Sequence, residues 1–215
     1  DPAAMDQGLP RKQPCCKQHR AEMKSKADMS PIRRRTAIGL IAAALALAAC
    51  GKKEMSPVGG PFQMVDQNGR AADESMLKGK WSLVFFGYVF CPDVCPTTLQ
   101  TLAQAQDRLG PKAKKLQVVF VSVDPDRDTP AKLKTYLSSP AFPKGTVGLT
   151  GTPAQVAGIA KAYKVYYAKQ GTGQDYAMDH SAAIYLMDPK GRYDRILAPG
   201  LTPEEIARQI ADAMR

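Results

Sequence analysis

Trp81-Ser82-Leu83-Val84-Phe85-Phe86-Gly87-Tyr88-Val89-Phe90-Cys91-Pro92-Asp93-Val94-Cys95-Pro96 is an apolar run followed at once by two thiols. Leu83 to Phe86 reads as a strand buried on both faces, because it is continuously apolar rather than alternating. Pro96 to Leu109 reads as a helix, with Leu99, Leu102, Ala103, Ala105 and Leu109 on its apolar side. The cysteines therefore stand where a central strand gives way to a helix. Unpaired N–H groups and the dipole of a helix N-terminus both attract negative charge, which favours thiolate there. If the first turn takes in both cysteines, residues i and i+4 share a face and both sulfurs can point at one ligand. His180, in Met178-Asp179-His180-Ser181, is the distant residue that could complete a soft-metal site.

Outward from this stretch, Phe62 to Asp73 holds Asn68-Gly69 between apolar-containing flanks, a hairpin signal. Leu116 to Val123 is a second central strand. Asp124-Pro125-Asp126-Arg127-Asp128-Thr129-Pro130 breaks it and opens a helix through Leu137. Val147 to Leu149 is a short strand and Pro153 to Ala162 a helix. Ala183 to Met187 and Tyr193 to Leu197 form a hairpin around Asp188-Pro189-Lys190-Gly191. Thr202 caps a final amphipathic helix, Ile206 to Met214, with Pro203 at its first position. This order predicts an α/β fold with a central mixed sheet, crossover connections, helices on both faces and an N-terminal β-hairpin. A thioredoxin-like fold fits it.

The chain has 215 residues, 44% of them hydrophobic, enough for a real core. Its net charge of +10 suggests nucleic acid until it is located. Residues 1–49 hold nine Lys/Arg against four Asp/Glu, and the remainder holds 21 against 16. The basic side chains are scattered rather than striped, which argues against a nucleic-acid partner. Part of the excess is a targeting signal. Met29-Ser30-Pro31-Ile32-Arg33-Arg34-Arg35 precedes an apolar run from Ala37 to Ala49, giving a secretory signal peptide over 29–49. That run is shorter than the roughly 17–25 residues of a membrane-spanning helix. Leu47-Ala48-Ala49-Cys50 resembles a bacterial lipobox, so Cys50 is expected to carry lipid and become the mature N-terminus. Ordinary cleavage near Ala49 is the alternative. Residues 1–28, with Cys15, Cys16 and His19, are read as upstream sequence outside the mature protein. Residues 50–59 form a tether and 60–215 the folded domain, held at the periplasmic face of a bacterial membrane.

Of five cysteines, Cys50 goes to the lipid, and Cys91 and Cys95 remain as one close pair in the exported domain. One pair is chemistry rather than a disulfide scaffold. Two thiolates and an imidazole are soft-to-borderline donors that suit copper or zinc, not magnesium or calcium. Three ligands leave an open position, which favours exchange with a partner. Asp93 and Asp179 either orient a ligand as its supporting partner or face solvent in turns. Asp124, Asp126 and Asp128 invite a calcium or docking reading. Helix capping ahead of Pro130 is the simpler account.

Gly60-Pro61-Phe62, the segment from Phe86 to Leu99, Val123 to Pro130 and Asp179-His180-Ser181 resemble the Sco/SenC family from about Gly59 to the C-terminus. The resemblance implies a membrane-tethered, thioredoxin-fold copper protein of cytochrome c oxidase assembly. It also implies Cys91, Cys95 and His180 as ligands to copper, both Cu(I) and Cu(II). The leading expectation is then a metallochaperone, not an enzyme, that passes copper to cytochrome c oxidase subunit II. A copper donor and a thioredoxin-like reductase of the Cys91–Cys95 disulfide are further partners. The alternative is a thiol–disulfide oxidoreductase that reduces the cysteines of that subunit. Against it stand the Cys-x3-Cys spacing and His180 where a thioredoxin carries a cis-proline. A peroxidase is disfavoured because Tyr88, not Thr, stands three residues before Cys91.

Overall fold

The computed structural model describes residues 58–215. The segment 29–49 expected to be a signal peptide, Cys50, most of the expected tether, and Cys15, Cys16 and His19 lie outside the described residues. Strands β1 (Gln63–Asp66) and β2 (Ala71–Asp73) form the expected hairpin. Asp66 Oδ1 accepts from the N–H groups of Asn68 and Arg70 at 2.8 and 2.9 Å, and Gly69 supplies the positive φ the turn requires. Strand β3 (Trp81–Gly87) leads to helix α1 (Val94–Arg108), and β4 (Leu116–Ser122) to α2 (Pro130–Leu137). Next come β5 (Val147–Thr150) and α3 (Pro153–Tyr163), then a separate hairpin of β6 (Tyr167–Gln170) and β7 (Ala177–His180). The chain closes with β8 (Ile184–Met187), β9 (Tyr193–Leu197) and α4 (Pro203–Ala213).

Seven strands make one sheet in the order β2-β1-β5-β4-β3-β8-β9. β3, β4 and β5 are parallel, while β8 lies antiparallel on the other side of β3. The sheet is thus mixed and flanked by helices, as the alternation of elements predicts. Leu83, Phe85, Phe86, Phe120 and Val121 are fully buried, so β3 and β4 are covered on both faces. That coverage explains their continuous apolar sequence. Buried Ser82 accepts from Gln117 Nε2, which also donates to the Met76 carbonyl.

Three helices start alike. Thr129, Thr152 and Thr202 each accept a backbone N–H from the first turn, and a proline follows each at the first helical position. The cap before α2 is therefore Thr129, and the expectation that Asp128 serves there is corrected. Asp128 is instead buried: its Oδ2 accepts from Ser122 Oγ at 2.7 Å and from the Val89 N–H at 3.0 Å. The hairpin β6–β7 is the element absent from the sequence reading. Its strands are four residues long and carry Lys169, Gln170 and Asp179, with no apolar alternation strong enough to register.

Burial pushes the Asp128 carboxyl up to about 6 from an ordinary 3.8, against the opposing effect of its two donors. Because its folded pKa lies above the unfolded one, the folded state holds the extra proton between them. Stability therefore falls as pH rises through about 4 to 6, and this contribution is flat above that window. Two units correspond to about 3 kcal/mol. Chemical denaturation of the reduced domain and of Asp128→Asn should show the variant gaining on the parent by up to about 3 kcal/mol across that window. Parallel pH profiles would show that Asp128 is ionised throughout.

Candidate metal centre

The carboxyl end of β3 delivers both cysteines. The chain leaves β3 at Gly87 and turns at Tyr88, whose carbonyl accepts the Cys91 N–H at 3.3 Å. It enters α1 at Val94, with Asp93 in the N-cap position. Cys91 therefore precedes the helix rather than sharing its first turn, which corrects the same-face expectation. The pair still converges, because the Cys95 N–H points at Cys91 Sγ at 3.4 Å. Cys95 is fully buried, while Cys91 is half-buried.

His180 reaches the cysteines from β7. Its Nε2 lies 3.7 Å from Cys95 Sγ, and the three donor atoms of Cys91, Cys95 and His180 all fall within 4.8 Å of one another. Donors bound at about 2.2 Å around a trigonal ion stand about 3.8 Å apart, so one edge of that triangle already has the spacing. His180 Nδ1 lies 3.1 Å from the Ser181 carbonyl. A carbonyl can only accept, so Nδ1 carries the proton and Nε2 presents its lone pair to the sulfurs. Tyr88 stands edge-on to the imidazole at 5.9 Å and 90°.

Neither acid expected beside the ligands supports them. Asp93 is exposed and accepts from Thr97 Oγ1, and Asp179 is exposed opposite Ala168 in the hairpin register. The partner of the imidazole is instead the Ser181 backbone. Ser181 is held in turn, its N–H donating to the Tyr166 carbonyl and its Oγ accepting from the Tyr166 N–H.

The sequence reading also passed over Arg127. Its Nε pairs with buried Asp124, which accepts from the Tyr176 hydroxyl as well. Nη1 donates to the Gln174 carbonyl at 3.1 Å, and the guanidinium lies 3.6 Å over the Tyr176 ring and 4.7 Å over Phe90. Phe90 adjoins Cys91, while Gln174 and Tyr176 belong to the turn and edge of the His180 hairpin. Arg127 thus ties the cysteine loop to the hairpin. Asp124 is committed to this ion pair and Asp128 to Val89, so no calcium site forms from these acids.

Burial raises the Cys95 thiol well above its ordinary value, and the neighbouring Cys91 adds to the rise. The helix start does not offset the loss of solvent around a fully enclosed sulfur, so the expectation of a stabilised thiolate is corrected for Cys95. The S–H faces His180 Nε2 instead.

The SCO1/SenC family profile matches residues 51–215. The chain belongs to the SCO1/SenC family. Among its relatives, SCO2 of Saccharomyces cerevisiae mitochondria is 45% identical over 140 residues, which are 63% of this chain and 46% of that protein. The SCO2-like protein of Rickettsia felis is 38% identical over 152 residues, 69% of this chain and 73% of its own. The chain therefore spans about half the length of the yeast relative. Bradyrhizobium japonicum ScoI, solved with copper bound, superposes with a TM-score of 0.66 at 47% identity, covering 72% of this chain and 98% of that one. Yeast Sco1, also solved with copper bound, gives 0.68 at 38% identity, covering 74% and 88%. The fold of this SCO1/SenC member is thioredoxin-like.

Gly87 is the tight point of the site. A Cβ there would lie 2.8 Å from Cys95 Sγ and 2.8 Å from the Phe120 ring. Gly87→Ala should cost about 1–3 kcal/mol by overpacking. It should also weaken copper binding by about tenfold or more through displacement of the sulfur. Parent-like copper titrations for a folded Gly87→Ala would show that the sulfur position is not set here.

Proposed function

We propose that this protein is a copper carrier that binds the ion through Cys91, Cys95 and His180 and delivers it to subunit II of cytochrome c oxidase during oxidase assembly. The observation that supports it most is the convergence of two thiols and an imidazole from separate elements within 4.8 Å. The donor set is soft, which favours copper, and copper is the ion in the ScoI and Sco1 relatives. Cu(I) draws chiefly on the thiolates, and Cu(II) leans more on the imidazole. Loading displaces the Cys95 proton, because only thiolate ligates. Cys91 and His180 are reachable from solvent, so an incoming ligand of the acceptor can add at the open position before these two let go. A copper donor and the oxidase subunit then meet the same mouth of the site.

The carrier reading makes the protein a vehicle without turnover. The competing reading, a thiol–disulfide oxidoreductase for the same subunit, has Cys91 as its accessible sulfur. The raised Cys95 thiol opposes it, since exchange proceeds through thiolate. Oxidation to a Cys91–Cys95 disulfide would remove both thiolates and leave His180 alone. A thioredoxin-like reductase is accordingly part of the loading pathway in an oxidising compartment.

Copper retained after desalting against a weak chelator tests this reading. Reduced protein should hold one ion, whereas oxidised protein, Cys91→Ser and Cys95→Ser should hold little. His180→Ala should lose Cu(II) more than Cu(I). Equal retention by oxidised and reduced protein would remove the thiols from the site and sink the carrier mechanism.

The location proposed is the periplasmic face of a bacterial membrane, after cleavage of a signal peptide over 29–49 and lipid attachment at Cys50. Two or three acyl chains would hold the protein firmly, since one alone binds only marginally. Intact mass of the membrane fraction should match a chain that begins at Cys50 and carries lipid. An unmodified Cys50 would defeat this part of the reading.

A further inference from the structure

Six lysines stand exposed at the end of the sheet opposite the cysteines: Lys78, Lys80, Lys112, Lys114, Lys115 and Lys190. Topology gathers them. β3 and β4 are parallel with Trp81 opposite Leu116, which sets Lys80 beside Lys115. The 3-10 turn Gly110–Lys115 carries Lys112 and Lys114 along the same edge. Lys78 bridges to Lys190, and the Gly79 N–H donates to the Pro189 carbonyl at 2.8 Å. Lys112 Nζ lies 3.4 Å from the Ala211 carbonyl near the end of α4.

None of the six sits in an ion pair among the described residues, although Lys78 lies near enough to Asp73 to add to the hydrogen bonds from Ser75 that lower its pKa. Every ion pair among the described residues uses an arginine, so none of the six ammonium groups has a carboxylate partner there. Two acids of the same end, Asp188 and Asp212, are held by Arg192 and Arg215.

The entry of the chain is the second observation. Gly59 donates to the Ala162 carbonyl at 3.0 Å and sits so close to Met187 that a Cβ would lie 2.9 Å from its Cε. Met187 pairs with Ser82, two residues beyond Lys80. The segment that links Cys50 to the fold therefore arrives at the lysine-bearing end, and its nine steps reach at most about 30 Å.

We propose that this end is a docking surface for anionic phospholipid headgroups. The anchored domain would rest on its lysines with Cys91 and His180 facing away from the bilayer. This rests on the reading of Cys50 as a lipid anchor and adds an orientation to it. A cluster of four to eight basic residues beside a membrane attachment is the charge pattern anionic leaflets attract. Lysine supplies the charge left outside ion pairs at this end, while Arg192 and Arg215 are engaged by Asp188 and Asp212, and that fits the same occupant. A flexible, strongly hydrated point charge suits a fluid headgroup layer, whereas a fixed acidic protein surface favours the fork of arginine. The seven residues of β3 separate the two ends by about 20 Å, so docking leaves the metal mouth free.

The test uses residues 54–215, whose described part, 58–215, is the folded domain that corresponds to almost all of the solved ScoI chain. Without lipid, its vesicle binding is independent of what happens at Cys50. Reduced protein is mixed with vesicles of phosphatidylcholine alone or with added phosphatidylglycerol, at low and high salt. We expect binding at least about tenfold tighter to the anionic vesicles, weakened by salt. The triple variant Lys112→Glu, Lys114→Glu, Lys115→Glu should lose about tenfold or more of it. The same variant should retain copper like the parent, which shows that it is folded. Trp81, the single tryptophan of the chain, adjoins Lys80. Its emission should transfer to a dansyl headgroup lipid in the bound state. Equal binding to both vesicle types, parent-like binding by the triple variant, or binding without transfer from Trp81 would each overturn the proposal. Loss of copper by both proteins with vesicle binding intact would instead count against the carrier reading alone.

Discussion

A buried carboxylate holds the cysteine loop in place. Asp128 Oδ2 takes the Val89 N–H two residues before Cys91 and the Ser122 hydroxyl at the end of β4. Beside it, the Val123 N–H donates to the Gly87 carbonyl at 2.9 Å. The parallel register of β3 and β4 brings these loops together, with Gly87 opposite Ser122. An enclosed carboxylate with Oδ1 lacking a partner costs stability, and the raised pKa of Asp128 reports that cost. Its return is a fixed path for the chain from the sheet to the first sulfur.

The second constraint is enclosure of Cys95. Thiolate is attracted to a helix start and repelled by an environment without water, and here the environment wins. This divides the labour between the sulfurs. Cys95 is a buried thiol whose sulfur lies close against Gly87. Cys91, outside the helix and half-buried, is the sulfur a partner can reach. A thiol kept protonated is also a poor attacking group, so burial of Cys95 works against rapid thiol–disulfide exchange by that sulfur.

Much of the frame was legible because its signals are strong. The continuous apolar runs of β3 and β4, the Asn68-Gly69 turn and the Thr202-Pro203 cap each have one economical reading. Cys91, Cys95 and His180 were also nameable, since soft donors in an otherwise cysteine-poor domain invite a common site. What brings His180 to the cysteines was hidden. Hairpin β6–β7 is short and polar, and its place depends on Arg127 stacking on Tyr176, a contact 49 residues apart in the chain. Asp128 looked like a cap because it adjoins Thr129-Pro130. Only the tertiary path of the loop shows that its carboxyl turns inward. Asp93 and Asp179 suggested support by adjacency alone, and sequence neighbours do not fix where a side chain points.

The ligands come from two pieces of different firmness. The cysteines lie at the junction of a central strand and a long helix, tied to the core on all sides. His180 sits at the end of a two-stranded hairpin outside the main sheet, fastened by the Ser181–Tyr166 pair at one end and by the Arg127 cluster towards the other. Two-stranded hairpins have little independent stability, so these fastenings decide where the imidazole stands. The Arg127 cluster also holds Phe90, next to Cys91, so the hairpin and the cysteine loop are positioned by one set of contacts. The position of the imidazole in the donor triangle is thus set by long-range fastenings, whereas Cys95 is set by the core that encloses it.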